Sequence, residues 1–293
     1  MSNLQLVQTE IDTLFNSKKN NQINKYMINK DLGNNVYSAI NHGKPYIIKV
    51  IPIDQNNTAS IIELGFIRAL SIFPNSSSYI NTCHDMAIGT SHIYTIYDIL
   101  LGISLGEFIS KIHMSPEYIS LVIQLIKHTL KSLAYTHKRG ISHRDICPDN
   151  IIVSFRANNN TLIETVRLIN FEKSCGYFMN VATNTFQTKK CNMKNINQLL
   201  ATIKGIIKVD AESVELYMSK KNDIEKLGEI LWSLVNRSVY SGKENCHNFK
   251  GQHKTMHRLH IFIVENLLKD NPRNANEILN KFILLDKYGW EYQ

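Results

Sequence analysis

The segment HRDICPDNIIV, residues 143–153, places an acid, Asp145, and an amide, Asn150, close together in the chain. The preceding segment, residues 115–140, begins with SPE and ends with KRG, which is typical of a helix with defined start and stop signals. The IIV that follows is typical of a buried strand. The sequence therefore predicts a polar loop between a helix and a strand, with a carboxylate and an amide held near one site.

A lysine and a glutamate further toward the N-terminus form a second candidate pair. Lys49 lies in the apolar segment YIIKV, residues 46–50, and Glu63 lies in SIIELGFIRAL, residues 60–70, which has the pattern of a helix. A lysine in an apolar strand often keeps its amine in water. The sequence leaves two alternatives open here, namely an ion pair that joins the strand to the helix and two unrelated surface charges.

The remaining pattern predicts a strand-rich part followed by a helix-rich part. Apolar residues recur at helical spacing in residues 3–16, and we expect this helix to dock on the main domain because its apolar side is costly to expose. Residues 22–53 alternate in polarity, and the turn NHGK within them predicts a β-hairpin. Further elements are predicted near residues 58–72 (helix), 83–99 (two strands), 222–236, 255–268 and 274–285 (helices).

Composition limits the environment and the partners. The five cysteines, at positions 83, 147, 175, 191 and 246, show no paired pattern, so we expect a reducing compartment, the cytoplasm or the nucleus. No apolar run approaches the ~20 residues needed to span a bilayer, so no membrane insertion is expected. The net charge of +8 keeps nucleic acid open as a partner, beside the simpler interpretation of a solvated basic surface.

Residues 143–150 match the His-Arg-Asp-x-x-x-x-Asn pattern residue for residue, and with the segments around them the chain resembles the eukaryotic protein kinase family. The resemblance covers roughly residues 25–285. It implies an α+β, bilobal protein kinase-like fold with ATP between the lobes. The implied organisation is an N-terminal helical extension, a strand-rich N-lobe and a helical C-lobe, at residues 1–24, 25–98 and 99–293.

The resemblance also assigns roles to individual residues. Asp145 would accept the proton of the substrate hydroxyl, Lys49 would contact the nucleotide phosphates, and Asn150 would hold a metal ion. Asp223 would brace the backbone of the catalytic loop, residues 143–150, and Glu212 would pair with Arg273. The residues expected around the nucleotide are Gly33, Ile40, Ile47, Lys49, Glu63, Tyr97, Asp98, Asn150 and Asn170.

Several positions depart from the family pattern. Asn170, in the segment INFE, replaces the aspartate that binds the bridging Mg²⁺, and Glu172 replaces the glycine two positions later. Cys147 replaces a lysine that contacts the transferring phosphate, and Asn35 and Ser38 replace two glycines of the phosphate loop. Because these changes remove charge and phosphate contacts from one site, we expect ATP as the ligand, with Mg²⁺ weakly held or absent.

Two functions follow from this mixture of retained and lost residues. The favoured one is a pseudokinase that acts as a scaffold or allosteric regulator of a protein partner, either an active kinase or the substrate of one. The alternative is an active ATP-dependent Ser/Thr protein kinase with atypical metal binding. In both cases Asn150 and Asn170 are the weak metal ligands, Glu172 is the candidate substitute acid, and Ile47 narrows the nucleotide pocket.

Overall fold

The computed structural model describes residues 3–16, 26–53, 58–112, 117–157, 159–180, 185–188, 206–208, 214–240, 250–269 and 274–288. The N-terminal part contains helix α1 (Asn3–Asn16) and helix α2 (Thr58–Ser71). Its strands are β1 (Met27–Gly33), β2 (Val36–Asn41), β3 (Lys44–Pro52), β4 (Cys83–Ile88) and β5 (His92–Asp98). They form one antiparallel sheet in the order β1-β2-β3-β5-β4.

The β-hairpin predicted around the turn NHGK is confirmed, because Asn41 of β2 pairs with Lys44 of β3 across it. The same region contains an additional turn. The additional turn lies between Gly33 and Val36, which are paired across β1 and β2. Asn34 and Asn35 occupy it with φ of 52° and 59°. Two consecutive left-handed residues are the geometry of a tight hairpin turn, and asparagine tolerates it better than most residues.

Helix α1 covers the face of the sheet that points away from α2. Ile11 is fully buried in a cluster with Tyr26, Ile48 and other residues of the strands. The side chain of Gln8 also bonds the start of β1, since its Nε2 donates to the Tyr26 carbonyl at 2.9 Å and its Oε1 accepts from the Ile28 amide at 2.8 Å. The predicted docking of this helix is therefore confirmed.

The C-terminal part is mainly helical. Its helices are α3 (Leu105–Lys111), α4 (Tyr118–Lys138), α5 (Val214–Tyr240), α6 (Lys250–Ile263), followed by a π turn (Val264–Leu268), and α7 (Ala275–Tyr288). Its short strands are β6 (Ile103–Ser104), β7 (Ile141–Ser142), β8 (Ile151–Arg156), β9 (Asn159–Leu168), β10 (Cys175–Asn180), β11 (Thr185–Thr188) and β12 (Ile206–Lys208). No helix in the described ranges is long and apolar enough to cross a membrane.

One apolar core runs through both parts. It joins Phe66 and Leu70 of α2 to Leu133 of α4 and to Leu168 at the end of β9. Phe171, which is fully buried, belongs to the same core and lies three residues after the end of β9. The loop between α4 and β8 and the segment after β9 are therefore both anchored where the two parts meet.

The docking of α1 can be tested with two substitutions on this helix. Ile11→Ala should lower the free energy of unfolding by about 2–4 kcal/mol, because it leaves a cavity between the helix and the sheet. Leu6→Ala is the matched control, since Leu6 is 49% exposed and its loss should cost under about 0.5 kcal/mol. Denaturant unfolding measures both values, and equal effects would contradict docking.

Candidate active site

The lysine and the glutamate predicted to pair do form an ion pair. Lys49 Nζ donates to Glu63 Oε2 at 2.8 Å, and the Glu63 side chain is only 8% exposed. The other carboxylate oxygen, Oε1, accepts from the Phe171 amide at 3.1 Å. Glu63 therefore connects β3, α2 and the segment after β9.

Two carboxylates keep Lys49 charged. Burial by itself would lower the pKa of Lys49, but Glu63 and the nearby Glu172 outweigh burial and raise that pKa. Glu172 Oε1 lies 3.5 Å from Lys49 Nζ and accepts from Ser60 Oγ at 3.3 Å. The cation expected to meet nucleotide phosphates thus already faces two anions of its own chain.

Asp223 braces the catalytic loop, as predicted. Its carboxylate accepts from the backbone amides of His143 and Arg144, each at 2.7 Å, and from Ser142 Oγ at 2.7 Å. The side chain is 1% exposed. Burial tends to raise the pKa of Asp223, but the hydrogen bonds, led by that from His137, hold the pKa below its ordinary value.

His143 fixes the loop against the segment after β9. Burial lowers its pKa, so the ring is neutral at pH 7. Its Nε2 donates to the Ile169 carbonyl at 2.9 Å, and its Nδ1 accepts from the Asp145 amide at 3.3 Å. The ring also packs on Phe171, with 4.6 Å between ring centroids. These contacts set the distance between Asp145 and the INFE segment.

The acid and the two amides of the site contact one another. Asn150 Nδ2 donates to the Asp145 carbonyl at 2.9 Å and to Asp145 Oδ2 at 3.1 Å. Asn170 Nδ2 donates to Asn150 Oδ1 at 3.4 Å. Asn170 has a φ of 65°, which asparagine accepts more readily than most residues. The two amides predicted as metal ligands are therefore hydrogen-bonded to each other.

Comparison with known proteins identifies the family. The chain matches the protein kinase domain model over residues 31–284. It belongs to the protein kinase domain family. The chain spans less than half the length of the curated relatives that it matches. It is 25% identical to the MAP kinase-interacting serine/threonine-protein kinase 1 of Xenopus laevis, over 68% of this chain and 45% of that protein. It is 30% identical to the serine/threonine-protein kinase greatwall of Mus musculus over 41% of this chain and 14% of that protein.

A solved structure supports the fold alone. The autoinhibited serine kinase domain of the giant muscle protein titin aligns with 91% of this chain and 81% of its own, with a TM-score of 0.56 and 17% identity. The α+β kinase fold predicted from the sequence is thus confirmed. The residue boundaries given to the extension and the two lobes stay predictions.

The residues predicted for the adenine side lie along the sheet. Ile47 and Lys49 share the face of β3 opposite α1, and Ile47 pairs with Tyr97 of β5, which is buried. Ile40 is 42% exposed. Asp98 Oδ1 accepts from Lys44 Nζ at 2.5 Å. The contacts to a nucleotide proposed for these residues, and for Gly33 at the β1–β2 turn, stay predictions. Glu212 and Arg273 lie outside the described residues.

The residues present do not fit a bridging Mg²⁺. Asn150 and Asn170 are neutral and engaged with each other, whereas Mg²⁺ prefers charged oxygen ligands. Asp145 is the carboxylate beside them, and its Oδ1 accepts from Lys173 Nζ at 2.8 Å. No cluster of three or more His, Cys, Asp or Glu side chains suited to a metal ion occurs in the part of the chain that the structure describes.

Sequence reasoning missed Lys173 and Ser60. Lys173 directly follows INFE and is 67% exposed, and from sequence it is indistinguishable from an ordinary surface charge. Ser60 sits in α2 three positions before Glu63, one turn away on the same side of the helix. One sequence signal could have pointed to Lys173. It is the adjacent, oppositely charged Glu172, in a segment whose flanking residues, Phe171 and Ser174, are buried.

The brace on the catalytic loop gives a testable prediction for stability. Asp223→Asn should lower the free energy of unfolding at pH 7 by about 2–4 kcal/mol, because a buried acceptor of several hydrogen bonds loses its charge. Glu225→Gln on the same helix is the control, since Glu225 is 35% exposed and its loss should cost under about 1 kcal/mol.

The pH dependence of stability distinguishes a role of the Asp223 charge from a role of side-chain packing alone. A lowered folded-state pKa stabilises the fold above the ordinary carboxyl pKa of about 4, and that stabilisation is lost as the pH falls through the folded-state value. The difference in melting temperature between the wild type and Asp223→Asn, measured from pH 7 to pH 2.5, should therefore shrink as the pH falls below about 4. A constant difference across this range would contradict the assignment.

Proposed function

We propose that the chain is a kinase-shaped regulator that binds ATP or ADP and engages a protein partner, with phosphoryl transfer weak or absent. The observation that carries this proposal is the hydrogen bond between Asn170 and Asn150. Two neutral amides occupy the positions where kinase chemistry requires metal ligands, one of them an aspartate in the family pattern. The pair of Lys49 with Glu63 and the bonds from Asp223 to the loop are retained around them.

The retained contacts support a folded, nucleotide-facing cleft. Lys49 is charged and held by Glu63, and the catalytic loop is braced by Asp223. Phosphoryl transfer depends almost entirely on positioning and charge stabilisation around the transferred group. Replacement of the acid at position 170 by an amide therefore weakens or abolishes transfer but leaves the shape of the cleft.

The proposed partner is a protein, either an active kinase or the substrate of such a kinase. The relatives' names are those of serine/threonine-protein kinases, whose substrates are proteins, and a kinase-shaped surface without transfer can still present or position such a partner. The basic balance of the chain, +8 at pH 7, favours an acidic surface on that partner.

An active Ser/Thr protein kinase with atypical metal binding is the second candidate. It is favoured by one observation: Asp145, the residue that would accept the substrate proton, is 23% exposed in its side chain and is held next to Asn150. In that case Glu172 would have to leave Lys49 and supply the missing metal charge.

A transfer assay distinguishes the two candidates. Radiolabelled ATP with casein, histone and myelin basic protein as acceptors should give incorporation at background, and Asp145→Asn should change it by less than about twofold. The triple variant Asn170→Asp, Glu172→Gly, Cys147→Lys should raise incorporation measurably, because it restores metal charge and a phosphate contact. Robust wild-type phosphorylation that Asp145→Asn abolishes would establish the second candidate instead.

A further inference from the structure

Glu172 and Lys173 are adjacent residues, and each contacts a side chain of opposite charge in the cleft, Lys49 and Asp145 respectively. Glu172 Oε1 lies 3.5 Å from Lys49 Nζ, and Lys173 Nζ lies 2.8 Å from Asp145 Oδ1. The chain therefore brings its own anion to the lysine expected to hold phosphate, and its own cation to the site expected to hold a metal ion. This charge pair is absent from the family pattern, which has a glycine at position 172.

The turn that presents the two side chains is fixed at both ends. Phe171 is fully buried and its amide donates to Glu63 Oε1. Ser174 is 1% exposed, its Oγ donates to the His143 carbonyl at 3.1 Å, and its amide donates to the Phe171 carbonyl at 3.1 Å. The last bond closes a β-turn with Glu172 and Lys173 as its central residues. Their positions are thus set by the buried core.

The two ion pairs made by this turn are weak enough to exchange. Lys173 is 67% exposed and Glu172 is 38% exposed, and ion pairs open to water contribute little to stability. The ammonium group of Lys173 stays charged, because the hydrogen bond to Asp145 raises its pKa. A polyphosphate offers more negative charge than one carboxylate, so it would compete for both lysines.

We propose that Lys173 is a tethered cation that takes the place of the metal ion and contacts the β- and γ-phosphates of a bound nucleoside triphosphate, while the phosphates displace Glu172 from Lys49. This inference rests on the proposed nucleotide binding and states how the cleft achieves it without Mg²⁺. The nucleotide is then held by Lys49 and Lys173 from opposite sides. Neutral Asn150 and Asn170 between them impose no requirement for a divalent ion.

The test is a titration of the full chain with a fluorescent ATP analogue, in EDTA and in excess Mg²⁺. The wild-type Kd should differ by less than about threefold between the two conditions. In EDTA, Lys173→Met should weaken binding about tenfold or more, the usual worth of a hydrogen bond to a charged group. Lys173→Arg should retain most of the affinity, because it keeps the charge.

Matched variants show whether the change in Kd is specific to the turn that carries Glu172 and Lys173. Lys111→Met is the control, since Lys111 is also 67% exposed and pairs with Glu107, far along the chain on α3. It should leave the Kd unchanged. Glu172→Gln should tighten binding about threefold, because the competing anion at Lys49 is neutralised. Adenosine, which lacks phosphates, should compete equally well against the wild type and Lys173→Met.

The outcomes separate this inference from the proposed function. Binding in EDTA that Lys173→Met leaves unchanged would overturn the role of Lys173 while nucleotide binding stands. Wild-type binding that requires Mg²⁺ would overturn it too, and would show that the cleft holds a metal ion. No binding of the analogue under either condition would overturn the proposed nucleotide binding itself, and the inference with it.

Discussion

The buried carboxylate of Glu63 is the contact on which the cleft depends. Its two oxygens serve two different parts of the chain, Lys49 of β3 and the Phe171 amide after β9. Because a buried carboxylate is costly unless both oxygens are satisfied, this arrangement ties the position of α2 to that of the INFE segment. Where α2 sits therefore decides where Asn170, Glu172 and Lys173 can point.

The second fixed point of the cleft is the pairing of Asp223 with the catalytic loop. It holds the backbone at His143 and Arg144, and His143 in turn bonds the Ile169 carbonyl. Asp223 and His143 thus hold the loop and the segment after β9 at a fixed distance from each other. Between these two fixed points the sequence departs from the family pattern. Asn170 replaces an aspartate, and the turn after Phe171 carries Glu172 and Lys173, which pair with Lys49 and Asp145.

The sequence predicted the parts of this site that rest on spacing within strong motifs. The order of acid and amide in residues 143–150 follows from a pattern that is specific over several residues. The pair of Lys49 with Glu63 was one of two alternatives, and the brace from Asp223 was implied by the family resemblance. The kinase fold followed from the same motifs, and the docking of α1 followed from its apolar periodicity.

The sequence did not predict the contacts that join elements far apart in the chain. The position of Glu172 was unpredictable because Ser60 and Lys49 reach it from elements far away in sequence. Lys173 was missed for the same reason. Its ion pair with Asp145 depends on the turn that the buried residues Phe171 and Ser174 hold in place, and the sequence does not show that turn.

A crystal structure of the chain with a non-hydrolysable ATP analogue and excess Mg²⁺ would show whether Lys173 takes the place of the metal ion. We expect Lys173 Nζ within hydrogen-bonding distance of a phosphate oxygen, Glu172 displaced from Lys49, and no Mg²⁺ coordinated by Asn170. A Mg²⁺ ion coordinated by Asn170 or Glu172 and bridging two phosphates would overturn this role of Lys173 and support an active kinase.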